Sequence, residues 1–251
     1  MAERVYDARE IAERLGAVRE RIAAACHKSG RNPAEVRIVA VTKTHPIEAI
    51  VAAWHAGLRE FGENRVQEAL PKFGMIASAL PQAREEGLRL HMIGHLQRNK
   101  AKAAVETFDL IHSVDSVNLA DELEKYAGRA GKHVAVLVQV NVSGEASKSG
   151  IAPADTAALV GHILGKCSNL TVEGYMTIAP LVDDPEAARP CFRQLRELLR
   201  HLGHHGGEIR LGDRLAVDGR DLLVLRGRGG RPSGRPDHGR RGQKGGQDRD
   251  T

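Results

Sequence analysis

The chain has 251 residues, of which 41% are apolar and 27% are charged, a balance typical of a globular protein with a sizeable core. Aromatic residues make up only 3%, which argues against a stacking platform for single-stranded nucleic acid. The first ten residues have mixed charge and no apolar signal core, and no apolar run is long enough to span a bilayer. We therefore expect a cytoplasmic protein that makes no membrane contact.

The formal net charge of +5 comes from the C-terminal tail. Residues 226–251 hold seven Arg, one Lys and three Asp, whereas the other 225 residues carry 29 basic and 29 acidic side chains. The positive charge of the tail therefore gives no information about a ligand of residues 1–225.

The three cysteines, Cys26, Cys167 and Cys191, are far apart and in no metal-ligand spacing. We expect no metal site and no disulfide framework, as in a reducing cytoplasm.

Helical and strand patterns alternate along the chain. Apolar residues recur every three or four positions over 7–28 and predict a long first helix. Six β-rich runs follow, each with a helical pattern after it. The strands are predicted at Val36–Thr42, Glu60–Gly62, Leu88–Ile93, Leu110–Val114, Val134–Val142 and Leu170–Ile178. The helices are predicted at Ile47–Ala56, Val66–Phe73, Asn99–Glu106, 117–130, Pro153–Leu164 and Pro185–Leu202.

Six strand–helix units in series predict an α/β fold in which helices cover a parallel sheet. A doubly wound sheet and an eight-stranded barrel both have this pattern. The dinucleotide fingerprint G-x-G-x-x-G is missing after the first strand, which favours the barrel.

The pattern changes after about Gly203. Glu208–Leu211 and Asp221–Leu225 could be weak strands, but no amphipathic helix separates them. Residues 226–251 contain eight Gly and almost no apolar side chain, so we expect a disordered tail. Six strands cannot close an eight-stranded barrel, so the outer edges of the first and sixth strands are expected to be open.

The polar residues of interest follow the predicted strands. Lys43 ends the first strand in VAVTKTHP, at the mouth where parallel barrels place their active sites. A lysine there is often only a surface residue, but a lowered pKa would make it an amine nucleophile for an aldehyde. Asn64, in FGENRVQEAL, is explained either as a helix N-cap or as a ligand contact.

Two further residues end later strands. Lys148, in VQVNVSGEASKSGI, is either part of a solvated loop or a second cation that lowers the pKa of Lys43 or attracts an anion. Met176, in GYMTIAP, occupies a position that is more often core than ligand contact.

These motifs in this order resemble the pyridoxal phosphate homeostasis family. They are VAVTKTHP, FGENRVQEAL-PK, HMIGHLQRNKAK, IHSVDS, VQVNVSGEASKSGI and LTVEGYMTIAP, and the resemblance covers roughly residues 5–203. It implies a TIM-like (β/α)8 barrel of the alanine racemase N-terminal type. It also implies that Lys43 holds pyridoxal 5′-phosphate (PLP) as a Schiff base, with Asn64, Lys148 and Met176 as candidate cofactor contacts. Members of that family look like carriers or regulators of vitamin B6 rather than enzymes.

The resemblance fails at the C-terminus. A seventh strand ending in a Ser-Met-Gly-Met-Ser-like motif and an eighth ending in an Arg-x-Gly-Thr-like motif should cradle the cofactor phosphate, and neither is present. We interpret the replacement as a divergent or frameshifted C-terminus. The chain then divides into a PLP-binding barrel (1–203), a divergent segment (204–225) and the tail (226–251). Loss of the cradle is expected to weaken PLP binding roughly a thousandfold.

Three functions remain open. The first is a non-catalytic PLP-binding protein of intracellular PLP homeostasis, with PLP and PLP-dependent apoenzymes as partners and a monomeric barrel. The second is a PLP-dependent amino-acid racemase-like enzyme, which would need a second acid–base group opposite the lysine. The third is an RNA-binding module that uses the Arg/Gly-rich tail; a single RGG without interleaved aromatics makes nucleic acid the least expected partner.

Overall fold

The computed structural model describes residues 5–145, 148–180, 183–202, 210–218 and 222–228. Its strands are β1 (Val36–Val41), β2 (Glu60–Glu63), β3 (Arg89–Met92), β4 (Leu110–Val114), β5 (Val134–Gln139), β6 (Leu170–Ile178), β7 (Arg210–Asp218) and β8 (Leu222–Arg228). Its α-helices are α1 (Ala8–Lys28), α2 (Ile47–His55), α3 (Val66–Gly74), α4 (Ile76–Ala79), α5 (Ala101–Thr107), α6 (Val117–Ala130), α7 (Thr156–Lys166) and α8 (Arg189–Leu202).

The first six strands form the predicted parallel α/β sheet. β1 to β6 pair in chain order, each parallel to the next. The predicted strands and major helices are all present within a few residues of their predicted bounds. The short helix α4 is not predicted from the sequence, because its four residues are too few to show a period.

The barrel is closed, contrary to the expectation of open edges. The strand order is β1-β2-β3-β4-β5-β6-β8-β7. β7 pairs parallel with β1, from Val36↔Arg214 to Ala40↔Asp218. β8 pairs antiparallel with both β6 and β7. The expectation of open edges assumed that a helix must join the last two strands, but an antiparallel pair needs only a short connection. A hairpin therefore covers both edges.

The C-terminal predictions are only partly covered by the described residues. β7 shares only residues 210–211 with the first predicted weak strand and extends to Asp218. β8 matches the second predicted weak strand from Leu222 and continues to Arg228, so the prediction of disorder is wrong for residues 226–228. Residues 229–251 lie outside the described part of the chain.

Apolar residues fill two layers. The larger core lies between the sheet and the helices and includes Ile50, Phe61 and Leu123, all 0% exposed. A second cluster consists of Val39, Leu110, Leu137 and Met176, which come from β1, β4, β5 and β6. Because β1 and β4 are not neighbours in the sheet, this contact crosses the inside of the barrel. The interior is therefore a packed core, as in other barrels of this kind.

A polar chain also crosses the interior through four neighbouring strands. Arg37 Nη1 donates to Glu60 Oε1 at 3.0 Å, and Glu60 Oε2 lies 3.2 Å from His91 Nε2. His91 Nδ1 lies 2.9 Å from His112 Nε2. These contacts place His91, the first histidine of HMIGH, inside the barrel.

None of the described helices is both long and apolar enough to cross a membrane.

Candidate functional site

The carboxyl ends of β1 to β6 lie on one side of the barrel because the strands are parallel. We call this side the mouth. Lys43 follows the last residue of β1 by two positions and is exposed. No hydrogen bond or ion pair joins its amine to another described residue. Lys43 therefore presents at the mouth an exposed primary amine that no described residue pairs, and a primary amine is the group that attacks an aldehyde carbon.

The backbone before Lys43 is held by a buried ion pair. The ammonium of Lys72, on α3, donates to the carbonyl oxygen of Thr42 at 2.7 Å and to Glu63 Oε1 at 2.6 Å. The hydroxyl of Thr42 donates to the same Glu63 oxygen at 2.7 Å. The side chains of Lys72 and Glu63 are only 7% and 0% exposed. Three charge-assisted hydrogen bonds thus lock β1, β2 and α3 together at the strand end.

The backbone after Lys43 is held by the same helix. The amide of Thr44 donates to the Glu68 carboxylate, and Lys72 Nζ lies 3.2 Å from that carboxylate. Burial opposes ionisation of Glu68, but the Thr44 amide and the Lys72 ammonium outweigh it and lower the Glu68 pKa. Thr44 adopts a left-handed φ of 63°, which is uncommon for a residue other than glycine. We call Glu63, Glu68 and Lys72 the lysine clamp.

Sequence reasoning missed the clamp, although a signal was present. The buried residues of α3 are Val66, Ala69, Lys72 and Phe73. Their spacing puts Lys72 on the apolar face of the helix, where a charged residue needs a partner. The identity of that partner depends on the pairing of β1 with β2.

Asn64 follows β2 and is half buried. Its alternative role as the helix N-cap is wrong, since Arg65 occupies the N-cap position of α3 and makes no side-chain cap. A Cβ added to Gly94 would lie 2.3 Å from the Asn64 carbonyl oxygen. Only glycine permits this approach, which brings the segments after β2 and β3 together at the mouth.

A cavity of about 580 Å³ opens beside this contact. Its lining includes Asn64, Arg65, Met92, His95 and Lys100, with two cations and no carboxylate among the described lining residues. Lys43, Lys148 and Met176 do not line it. The structure therefore brings Asn64, but not the other three predicted site residues, to this cavity.

Lys148 lies in the loop after β5. Its Nζ is 2.8 Å from Glu145 Oε1, and the side chain is 24% exposed. The backbone of the loop is held by Asn141, whose side-chain amide donates to the carbonyl oxygens of Glu145 and Lys148. The charge of Lys148 is thus already paired within its own loop, which weakens its effect on other groups at the mouth.

Met176 lies deeper than the other candidates. It is fully buried in the interior cluster with Val39, Leu110 and Leu137.

Asp115 follows the last residue of β4 and lies 3.8 Å from His95. Burial raises the pKa of Asp115. Sequence reasoning did not single out Asp115, because aspartate is common in the turns that follow strands whatever their function.

The β7–β8 hairpin determines which strand ends lie at the mouth, where an anion would bind. β7 runs parallel to β1, so its last residue, Asp218, lies on the mouth side. β8 runs the opposite way and ends at Arg228 on the far side of the barrel. The carboxyl end of β8 therefore lies on the opposite side of the barrel from Lys43, where it does not contribute to an anion site at the mouth.

Comparison with known proteins first defines the class. Residues 14–211 match the family model described as "Alanine racemase, N-terminal domain". Alanine racemase from Streptomyces coelicolor aligns with a TM-score of 0.64 at 22% identity, covering 84% of this chain and 52% of that chain. This likeness shows the fold alone: a barrel of the alanine racemase N-terminal type.

Closer relatives narrow the class. The pyridoxal phosphate homeostasis protein of Aquifex aeolicus is 41% identical over 186 residues, 74% of this chain and 78% of that protein. PipY of Synechococcus elongatus, solved with PLP bound, aligns with a TM-score of 0.65 at 38% identity, covering 77% of this chain and 82% of that one. The chain belongs to the family of pyridoxal phosphate homeostasis proteins, as its motifs predicted.

Proposed function

We propose that this chain is a non-catalytic PLP-binding protein of intracellular PLP homeostasis and that Lys43 attaches the cofactor. The observation that carries the proposal is the exposed amine of Lys43 between two clamped neighbours, Thr42 and Thr44. A held backbone reduces the entropy that is lost when the amine meets an aldehyde. Relatives named for PLP homeostasis and the PLP-bound structure of PipY support the same function.

The residues present fit one end of PLP better than the other. The aldehyde requires an accessible amine, and Lys43 provides it. The phosphate requires several donors, and the exit of β8 on the far face removes one expected source of them. We propose Asn64 and Lys148 as polar contacts of the cofactor and Met176 as the apolar floor beneath it. When bound, PLP would supply an electrophilic aldehyde, and the chain would hold it.

The proposed lack of catalysis rests on the tyrosines. The resemblance to alanine racemase implies that a racemase on this barrel needs a second proton-transfer group opposite the lysine, usually a tyrosine. The hydroxyl of Tyr6 is already bonded to His45 Nδ1 at 3.0 Å. Tyr175 is 2% exposed, and Tyr126 lies beneath Lys125 and Arg129. Each of the three tyrosines therefore already has a partner or a buried position within the structure.

An absorbance titration with PLP tests the attachment. Wild type and Lys102→Ala, which changes an exposed lysine on α5, are expected to give the same imine band. Lys43→Ala is expected to give none. An equal band in Lys43→Ala would refute Lys43 as the attachment residue.

A parallel titration with pyridoxal isolates the phosphate. If the remaining mouth residues still hold it, PLP should bind at least about tenfold more tightly than pyridoxal, the equivalent of one charge-assisted hydrogen bond. Lys148→Ala should narrow that ratio. Equal affinities for the two compounds would mean that no residue at the mouth binds the phosphate in place of the missing cradle.

Three further measurements address the partners and the alternative functions. Loss of optical activity from L-alanine in the presence of PLP would replace the carrier proposal with a racemase. Transfer of PLP to an apoenzyme faster than from free solution would support a role with PLP-dependent partners. Salt-dependent RNA binding that disappears on deletion of residues 226–251 would favour the RNA-binding alternative.

A further inference from the structure

Asp121, His162 and Cys167 meet among the helices that cover the outside of the barrel. Asp121 lies on α6, His162 lies on α7, and Cys167 is the residue that ends α7. One ligand atom from each residue lies within 4.8 Å of the other two. We propose that these three side chains form a zinc(II) site that joins α6 to the C-terminal end of α7.

The distances suit a small tetrahedral ion. Zinc binds sulfur at about 2.3 Å and nitrogen or oxygen at about 2.0–2.2 Å, so tetrahedral ligand atoms lie roughly 3.3–3.7 Å apart. His162 Nε2 now lies 2.6 Å from Asp121 Oδ1, close enough to share a proton. An ion that replaces this proton needs that pair to open by less than about 1 Å. The Cys167 sulfur lies no more than 4.8 Å from those two atoms, so it has to approach them by at most about 1.3 Å.

The chemistry of the three ligands selects the ion. A thiolate and an imidazole are poor ligands for magnesium and calcium, which prefer oxygen, but good ligands for zinc. Three protein ligands leave a fourth position, and the side chains of His162 and Asp121 are 27% and 54% exposed, so water can fill it. The arrangement has the ligand number of an open zinc site.

The surrounding charges favour a cation. The carboxylate of Asp121, together with that of Glu124 one turn along α6, gives the cluster a negative potential. The carbonyl end of α7 adds to that potential. Metal binding would displace the thiol proton, and the ion would neutralise the charges that oppose the thiolate.

A second set of contacts positions the cysteine. Glu124, one turn after Asp121 on α6, accepts hydrogen bonds from the Asn169 backbone amide at 2.9 Å and from Asn169 Nδ2 at 2.7 Å. The turn after Cys167 is therefore tied to the same helix that supplies Asp121. Support of this kind commonly changes metal affinity by about 10–100-fold.

Cobalt(II) tests the proposal, because it replaces zinc and gives a visible spectrum. The full chain is prepared without a polyhistidine tag and without added PLP, then titrated with cobalt(II) alone. We expect one equivalent to give a sulfur-to-cobalt charge-transfer band that zinc(II) removes. Cys191→Ser, which changes a half-buried cysteine on α8, should give the same band.

Ligand variants complete the test. Cys167→Ser should lose the band, and the exposed variants His162→Gln and Asp121→Asn should bind zinc at least about tenfold more weakly. Zinc should raise the Tm of wild type and Cys191→Ser but not that of Cys167→Ser. Absence of the charge-transfer band in folded wild type, or its persistence in Cys167→Ser, would overturn the site. Neither result bears on Lys43, so this inference and the proposed function fail independently.

Discussion

Removal of the Lys72 charge should damage both the fold and the attachment of PLP. In Lys72→Met, the Glu63 carboxylate remains 0% exposed and loses the ammonium that now lies 2.6 Å away. Breaking one side of a buried ion pair costs about 3–5 kcal/mol, because the other charge is left without compensation. The Thr42 carbonyl also loses the Lys72 donor and keeps only the His45 backbone amide at 3.1 Å, so the backbone before Lys43 is held less firmly.

Urea denaturation measures the first effect. With a slope of about 2–3 kcal/mol per molar urea, the midpoint should fall by about 1–2 M. Lys125→Met is the matched control, since Lys125 pairs with Glu122 on the surface at the same 2.6 Å and is 43% exposed. That variant should lose no more than about 1 kcal/mol.

PLP binding separates positioning from stability. In Lys72→Met, the imine band should form more slowly and at lower affinity under conditions where the protein remains folded. Adding Glu63→Gln to Lys72→Met should recover part of the stability, because the buried charge is gone, but not the binding. A midpoint within about 0.3 M of wild type, the equivalent of less than 1 kcal/mol, together with unchanged PLP binding would refute the clamp.

Two further perturbations concern glycine and pH. Gly94→Ala should lower the free energy of unfolding by about 2 kcal/mol or more and weaken PLP binding, because its Cβ would lie 2.3 Å from the Asn64 carbonyl oxygen. Gly16→Ala on α1 is the control: nothing lies within 4 Å of its Cβ, so it should instead raise the free energy of unfolding by about 0.5–1 kcal/mol. Burial raises the pKa of Tyr175 from 10 to about 12. The unfolded chain therefore releases this proton first, so stability falls as pH rises above about 10, by roughly 1.4 kcal/mol at pH 11. Urea curves of Tyr175→Phe should lack this component; an unchanged pH dependence would contradict it.

The local order of the chain is readable from its residues. Period-two and period-3.6 patterns extend over one element at a time, so β4, α6 and β6 are found at the predicted bounds. The motifs at the strand ends identify the family and select Lys43. These inferences need no knowledge of which strands become neighbours.

The tertiary structure decides what comes from distant parts of the chain. Closure by β7 and β8 depends on hairpin pairing with β1 and β6, which weak local patterns do not reveal. The lysine clamp needs β1 beside β2 and α3, and the Asp121–His162–Cys167 cluster needs α6 beside α7. Charged and ligating side chains act over a few ångströms, and residues this far apart in sequence reach that separation only in the folded barrel.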